Sequence, residues 1–223
     1  MHFQNVNTDT YVLGVWLERE GSTTTKGSIN FDSWEHTSGY SGYNFDKDGW
    51  VGHFGSSSSY IGIDKLFTYT KSFEILINFI LDSVPTGTNV MIGCSAYNTY
   101  TKSPSIELQP TRIWAGLSYE GKAWDESVST DINWETNREY YVKYSYDSDS
   151  KILKLEMSRD GTTWEELCSA TDIEIGYQSV DTEYLEIGGI ARSSSHYFRC
   201  GKINIFKSYI KTDDKLFWGI SYE

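Results

Sequence analysis

The 223-residue chain carries 31 acidic against 19 basic side chains, a formal net charge of -12 with no basic cluster in it, which argues against a phosphate-backbone partner and so against nucleic acid. Seventeen Tyr, ten Phe and eight Trp beside three Pro point to many paired strands in one domain rather than a disordered tail. No stretch approaches the run of about 18 apolar residues that a membrane helix needs, so no membrane insertion is expected. From the start, Tyr11–Leu17 reads as a first strand, residues 21–27 as a Ser/Thr/Gly loop and Gly27–Phe31 as a short strand. Between Ser33 and Ser59 the chain is rich in Gly, Ser and Tyr and carries Trp34, Tyr40, Tyr43, Trp50 and Phe54. A flexible linker does not hold so many large apolar side chains, so this stretch predicts short strands joined by turns.

Tyr60–Ile63 alternates again before a connection at Asp64–Phe67. Phe73, Ile75, Ile77, Phe79 and Leu81 form the strongest strand pattern, and Leu76 and Ile80 on the other face place it centrally, covered on both sides. Val90–Ala96, Ser105–Gln109 and Arg112–Ser118 continue at the spacing of a sandwich. Trp124–Thr136 is polar and predicts a long loop. Tyr140, Val142, Tyr144 and Tyr146 then alternate with polar partners, residues 147–150 make a polar turn, and Ile152–Met157 returns. Asp160–Gly161 is a hairpin signal because Gly accepts positive φ, and Trp164 opens a third strand. Glu165–Asp172 has room for one turn of helix at most. Tyr184–Ile187, Lys202–Ile210 and Leu216–Ile220 complete an all-β chain.

Cys94, Cys168 and Cys200 have no CxxC spacing and sit in apolar contexts without a neighbouring His, which predicts inert thiols with at most one disulfide. His2, His36, His53 and His196 show no metal-ligand spacing. Near the N-terminus there is neither a basic segment nor a small-residue cleavage site, so no signal peptide is expected.

Four passages carry a resemblance to a known family. They are Gly42–Asp46 leading through Tyr60–Ile63 into Phe73–Leu81, then Tyr140–Trp164, then Leu185–Gly189, and finally Gly201–Lys211 ending at Leu216-Phe217-Trp218. Over roughly residues 27–220 the chain resembles the concanavalin A-like lectin/glucanase jelly roll in its laminin-G-like version, as found in phage tail and virion-surface proteins. The resemblance implies a two-sheet antiparallel jelly-roll sandwich over residues 27–223, preceded by an N-terminal strand and loop, 1–26, packed on it or used for attachment. It also implies a location on a virion surface or outside a cell. Such a fold hosts lectins, glycosidases and inert modules alike.

Hydrolases of that family carry Glu-x-Asp-x-x-Glu on one strand, a spacing absent from this sequence, so no catalytic residue is expected. Ser158–Trp164 is similar to the Asp-box turn of sialidases but one residue shorter between Asp and Gly, and it reads as a hairpin marker. No cofactor is required. Calcium would suit loop oxygens at Asp46-x-Asp48 or Asp147-x-Asp149, both of which also suit ordinary turns. The aromatic residues point to carbohydrate, because flat rings stack on sugars and offer a polar rim. The best cluster is Tyr97, Asn98 and Tyr100 in one loop, Trp114 and Tyr119 on a neighbouring strand pair, and Trp124 with Asp125, where Asn98 and Asp125 would orient the sugar. Trp34, His36, Tyr40 and Tyr43 form a second cluster, suited to sugar or to a neighbouring subunit. The sequence therefore predicts a non-enzymatic adhesion or structural module, a homo-oligomer whose partners are cell-surface glycan and other virion subunits, with a carbohydrate-binding or hydrolysing domain of a bacterial secreted protein as the remaining alternative.

Overall fold

A computed structural model describes residues 2–4, 14–16, 27–30, 34–35, 48–52, 54, 61–67, 71–94, 104–117, 126–174, 184–189 and 197–222. The first strands in chain order are β1 (His2–Gln4), β2 (Gly14–Trp16), β3 (Gly27–Asn30), β4 (Trp34–Glu35), β5 (Trp50–Val51) and β6 (Ile61–Leu66). Then follow β7 (Ser72–Leu81), β8 (Asn89–Cys94), β9 (Ser105–Gln109), β10 (Arg112–Leu117), β11 (Glu126–Asp131) and β12 (Glu139–Asp147). The last are β13 (Ile152–Ser158), β14 (Trp164–Ala170), β15 (Tyr184–Ile187), β16 (Gly201–Thr212) and β17 (Lys215–Tyr222). No described residue is helical.

Two antiparallel sheets make the sandwich. The larger has eight strands, in the order β14-β13-β12-β7-β16-β17-β3 with β5 also paired to β16, and the smaller has seven, in the order β11-β10-β9-β8-β15-β6-β4. β1 and β2 pair only with each other, as a separate two-stranded ribbon among the described residues. The expected all-β jelly-roll sandwich is the fold observed.

Alternation in β7 and β12 decides which side chains fill the space between the sheets. Phe73, Ile75, Ile77, Phe79 and Leu81 point inward beside Tyr140, Val142, Tyr144 and Tyr146, and all are buried. From the smaller sheet Ile92, Ile106, Leu108, Ile113, Ala115, Leu117, Leu185 and Ile187 meet them, each with no exposed surface. Phe79 stacks on Tyr140 at 5.3 Å, and Trp134 stands edge-on to Tyr140 at 5.5 Å. The Trp134 indole N–H donates to the Gln109 carbonyl at 2.8 Å, so this side chain ties the larger sheet's aromatic stack to β9. As expected, β7 is central, between β12 and β16, and its second face is covered at Leu76 and Asn78.

Three expectations are corrected. The loop over Trp124–Thr136 is interrupted by β11, an edge strand in which Val128 alone is buried. An edge strand open to water needs just one such anchor, and one anchor leaves no apolar pattern to read. Asp64 and Lys65 lie inside β6 rather than in a connection. There Tyr184 pairs with Leu66 while Glu186 pairs with Gly62, so the extra residues of a bulge break the alternation. Residues 164–170, where a turn of helix had room, are strand β14. Asp160–Gly161 does turn the chain from β13 to β14, with Gly161 at φ +75.

Candidate functional site

Residues that alternate with the core in β7, β12, β13, β14 and β16 form the outer face of the larger sheet, and they are mostly polar, Lys, Glu, Ser, Asn and Tyr, with Trp164 and Leu76 among them. The register arranges them in rows that cross the strands. Glu74 faces Ser145, Ser145 faces Lys154, and Lys154 faces Ser169, with Lys211 opposite Glu74 on the other side. One step along, Leu76 faces Lys143, which faces Glu156, which faces Glu166. A further step brings Asn78, Tyr141, Ser158 and Trp164 into line. Over the first row the surface is hollowed into a groove of about 790 Å³, bounded by Lys71 and Asp214 at one end and by Glu166 and Ser169 at the other.

The charges on this face hold one another in place. Lys143 Nζ lies 3.1 Å and Lys154 Nζ 3.2 Å from the Glu156 carboxylate. Lys143 also sits 4.2 Å over the Trp164 ring, a cation–π contact that fixes the indole. Tyr209 donates to Glu74 at 2.6 Å, and burial raises its phenol pKa above the usual range, reinforced by that carboxylate. Lys211 lies 5.0 Å over the Tyr209 ring. Beside them Glu139 accepts from Lys207 at 2.7 Å and from Tyr141 at 2.8 Å. Burial works to raise the Glu139 pKa, and these two donors outweigh it, so the carboxyl stays below its ordinary value.

This geometry suits binding by a preorganised polar surface. For glycoside hydrolysis two carboxyls must stand about 5–5.5 Å or 6.5–9.5 Å apart across a substrate. Glu74 and Glu166 belong to strands three places apart, about 14 Å at the usual strand spacing. Glu156 and Glu166 are closer, but two lysines hold the first and the Ser169 hydroxyl donates to the second at 2.8 Å.

Among the sequence-predicted residues, Trp114 lies half-buried on β10 in the smaller sheet, facing Glu107 and Ser129, and so is not on the grooved face. Tyr97, Asn98, Tyr100, Tyr119, Trp124 and Asp125 lie outside the described residues, as do His36, Tyr40 and Tyr43 of the second cluster. Trp34 is placed on β4. The strand ends flanking the two predicted loops do share one end of the smaller sheet, since Ser105 pairs with Gly116 and Leu117 with Glu126.

Of the calcium candidates, Asp46 is outside the described residues, and Asp147 Oδ1 accepts the Asp149 N–H at 2.8 Å, an ordinary Asx turn. Among the described residues no group of three or more His, Cys, Asp or Glu is arranged for a metal ion. Cys168 and Cys200 are free thiols, and burial pushes Cys200 up to about 12, which leaves it almost wholly protonated at neutral pH. No helix among the described residues is long and apolar enough to cross a membrane.

No family model matches the chain, and no curated protein matches it in sequence. Solved structures do. Domains LG4-5 of the mouse laminin α1 chain align with TM-score 0.52 at 14% identity, covering 81% of this chain and 47% of theirs. The LG1-3 region of the laminin α2 chain gives 0.52 at 10% identity over 79% and 34%. The CBM40 of the Ruminococcus gnavus IT-sialidase, bound to α2,3-sialyllactose, gives 0.51 at 12% identity over 66% of this chain and 78% of that one. The chain thus spans about half and a third of the laminin fragments. Its fold is the laminin-G-like form of the concanavalin A-like jelly roll.

Proposed function

We propose that the protein is a non-enzymatic carbohydrate-binding module, displayed in several copies on a phage virion and used to hold host-surface glycan. The observation that carries the carbohydrate reading is the groove on the outer face of the larger sheet, lined by the Ser145 and Ser169 hydroxyls, the Lys154 and Lys211 ammonium groups and the Glu74 and Glu166 carboxylates. Sugar hydroxyls, which both donate and accept, are recognised by fixed donors and acceptors of this kind. The virion setting is supported by the resemblance of the closing strands, Gly201–Trp218, to laminin-G-like phage tail domains. A formal charge of -12 limits non-specific adhesion to anionic envelopes. Single-site affinity would be weak, and copies linked in one particle raise it by avidity.

A glycan array probed with the labelled protein, with Ser145→Tyr and with Trp124→Ala tests this reading. We expect a coherent set of bound glycans, loss of that binding in Ser145→Tyr, which fills the groove, and no change on adding chelator. Loss in Trp124→Ala alone would move recognition to the loops of the smaller sheet. A blank array from folded protein would refute the carbohydrate function and leave a structural subunit.

A further inference from the structure

We infer that the groove is a chain-binding cleft: it takes an uncharged linear oligosaccharide of about four units laid across the strands, rather than a single sugar or an acidic one. This rests on the carbohydrate reading above and specifies its ligand.

The row Lys211, Glu74, Ser145, Lys154, Ser169 contributes one side chain from each of five neighbouring strands. Neighbouring strands are about 4.8 Å apart, so the row runs about 19 Å, the length of about four linked pyranose rings. A polar group thus recurs at close to the interval at which a sugar chain repeats its hydroxyls. All five side chains of the row line the groove, which therefore lies along it. Its centre is floored by Ser145, a small hydroxyl, which leaves room between Glu74 and Lys154 for a ring to descend.

Charge decides the second half of the inference. An acidic sugar needs cations in excess of the carboxylates around them. The groove is lined by three lysines, Lys71, Lys154 and Lys211, against five carboxylates, and Lys154 lies 3.2 Å from a sixth, that of Glu156. The arginines among the described residues, Arg112, Arg138, Arg159 and Arg199, are all away from the groove. A sugar carboxylate would meet resident carboxylates at each position, whereas neutral hydroxyls can both donate to Glu74 and Glu166 and accept from Lys154 and Lys211.

Isothermal titration of the full chain with cello-, manno-, malto- and chito-oligosaccharides of one to six units, beside sialyllactose and oligogalacturonate, tests both halves. For one neutral series affinity should rise about threefold to tenfold per added unit and level off near four units, with acidic probes weaker. Ser145→Tyr should abolish binding at every length. Ser169→Tyr, at an exposed edge position that tolerates the change, should remove only the gain from the last one or two units. Equal affinity for one unit and four, or tenfold tighter binding of an acidic probe, would overturn this inference and leave carbohydrate binding standing. Binding of no probe, together with a blank array, would overturn both.

Discussion

Asp160 shows how one side chain can set a turn. Its Oδ1 accepts the backbone N–H groups of Thr162 and Thr163, each at 2.7 Å, and the Ser158 hydroxyl at 3.0 Å. Ser158 Oγ in turn accepts the Gly161 N–H at 2.9 Å. Gly161 then turns at φ +75, with its α-carbon so close to Tyr141 that an added methyl would lie 3.1 Å from the ring. Those amide donors, first Thr163 and then Thr162, hold the Asp160 carboxyl far below the ordinary carboxylate range. A depressed folded-state pKa contributes stability above the unfolded value, about 3.9, and loses it as the pH falls through and below that value. Asp160→Asn keeps the shape and removes the charge. Its urea midpoint should therefore lie below that of the wild type at pH 7, by a margin that narrows as the pH falls from about 4 to about 3. A gap that stays constant over that range would show that the carboxylate charge has no part in holding the turn.

At the scale of strands, the unusual element is the long insertion in β16. Asn204 faces Asn78 and Tyr209 faces Leu76, so residues 205–208 stand opposite Ile77 alone. Side chains substitute for the missing ladder. The Asn78 N–H donates to Ser208 Oγ at 3.0 Å, and that hydroxyl donates to the Asn204 carbonyl at 2.6 Å. Asn204 caps the Phe206 N–H at 3.0 Å and reaches the Asp48 carbonyl at 3.1 Å. Ser208→Ala leaves the buried Asn78 N–H without its acceptor and should cost about 1–3 kcal/mol in urea unfolding, while Ser208→Thr should retain most of it. A loss below about 0.5 kcal/mol in the alanine variant would mean the backbone relaxes to another acceptor. The same element marks the limit of sequence reading. Alternation made β7, β12 and β13 legible, because their inward faces are uniformly apolar. It was silent on β11, with one buried residue, and on β14, with none. The grooved face was written in the legible strands, as Lys143, Ser145, Lys154 and Glu156, but polar residues opposite a core read as ordinary solvated surface. Only pairing between distant strands, 74 beside 145 and 211, turns them into a row. Aromatic loops stand out instead, because residue type is visible without any knowledge of register.

Across the molecule, the two sheets share one continuous core from Val51 to Trp218, so the chain after the first ribbon should unfold as a unit. β1 and β2 lie outside that unit among the described residues, since their only partners are each other. β3 belongs to it, because Gly27 to Asn30 pair with Tyr222 to Gly219 at the margin of the larger sheet. The boundary expected between residues 26 and 27 can therefore be tested by truncation. A chain beginning at Gly27 should melt within about 2 °C of the full chain, since nothing in the sandwich loses a ladder partner. A chain beginning at Ser33 strips β17 of its outer neighbour. Four residue pairs give a few net hydrogen bonds of about 1 kcal/mol each, and each such unit is worth about 2–4 °C for a domain of this size. That second chain should thus melt at least about 5 °C lower and expose β17 as an unpaired edge prone to association. Equal melting of both truncated chains would exclude β3 from the cooperative unit. A drop in the first would instead place the N-terminal ribbon on the sandwich, where it would be a structural part rather than a free attachment arm.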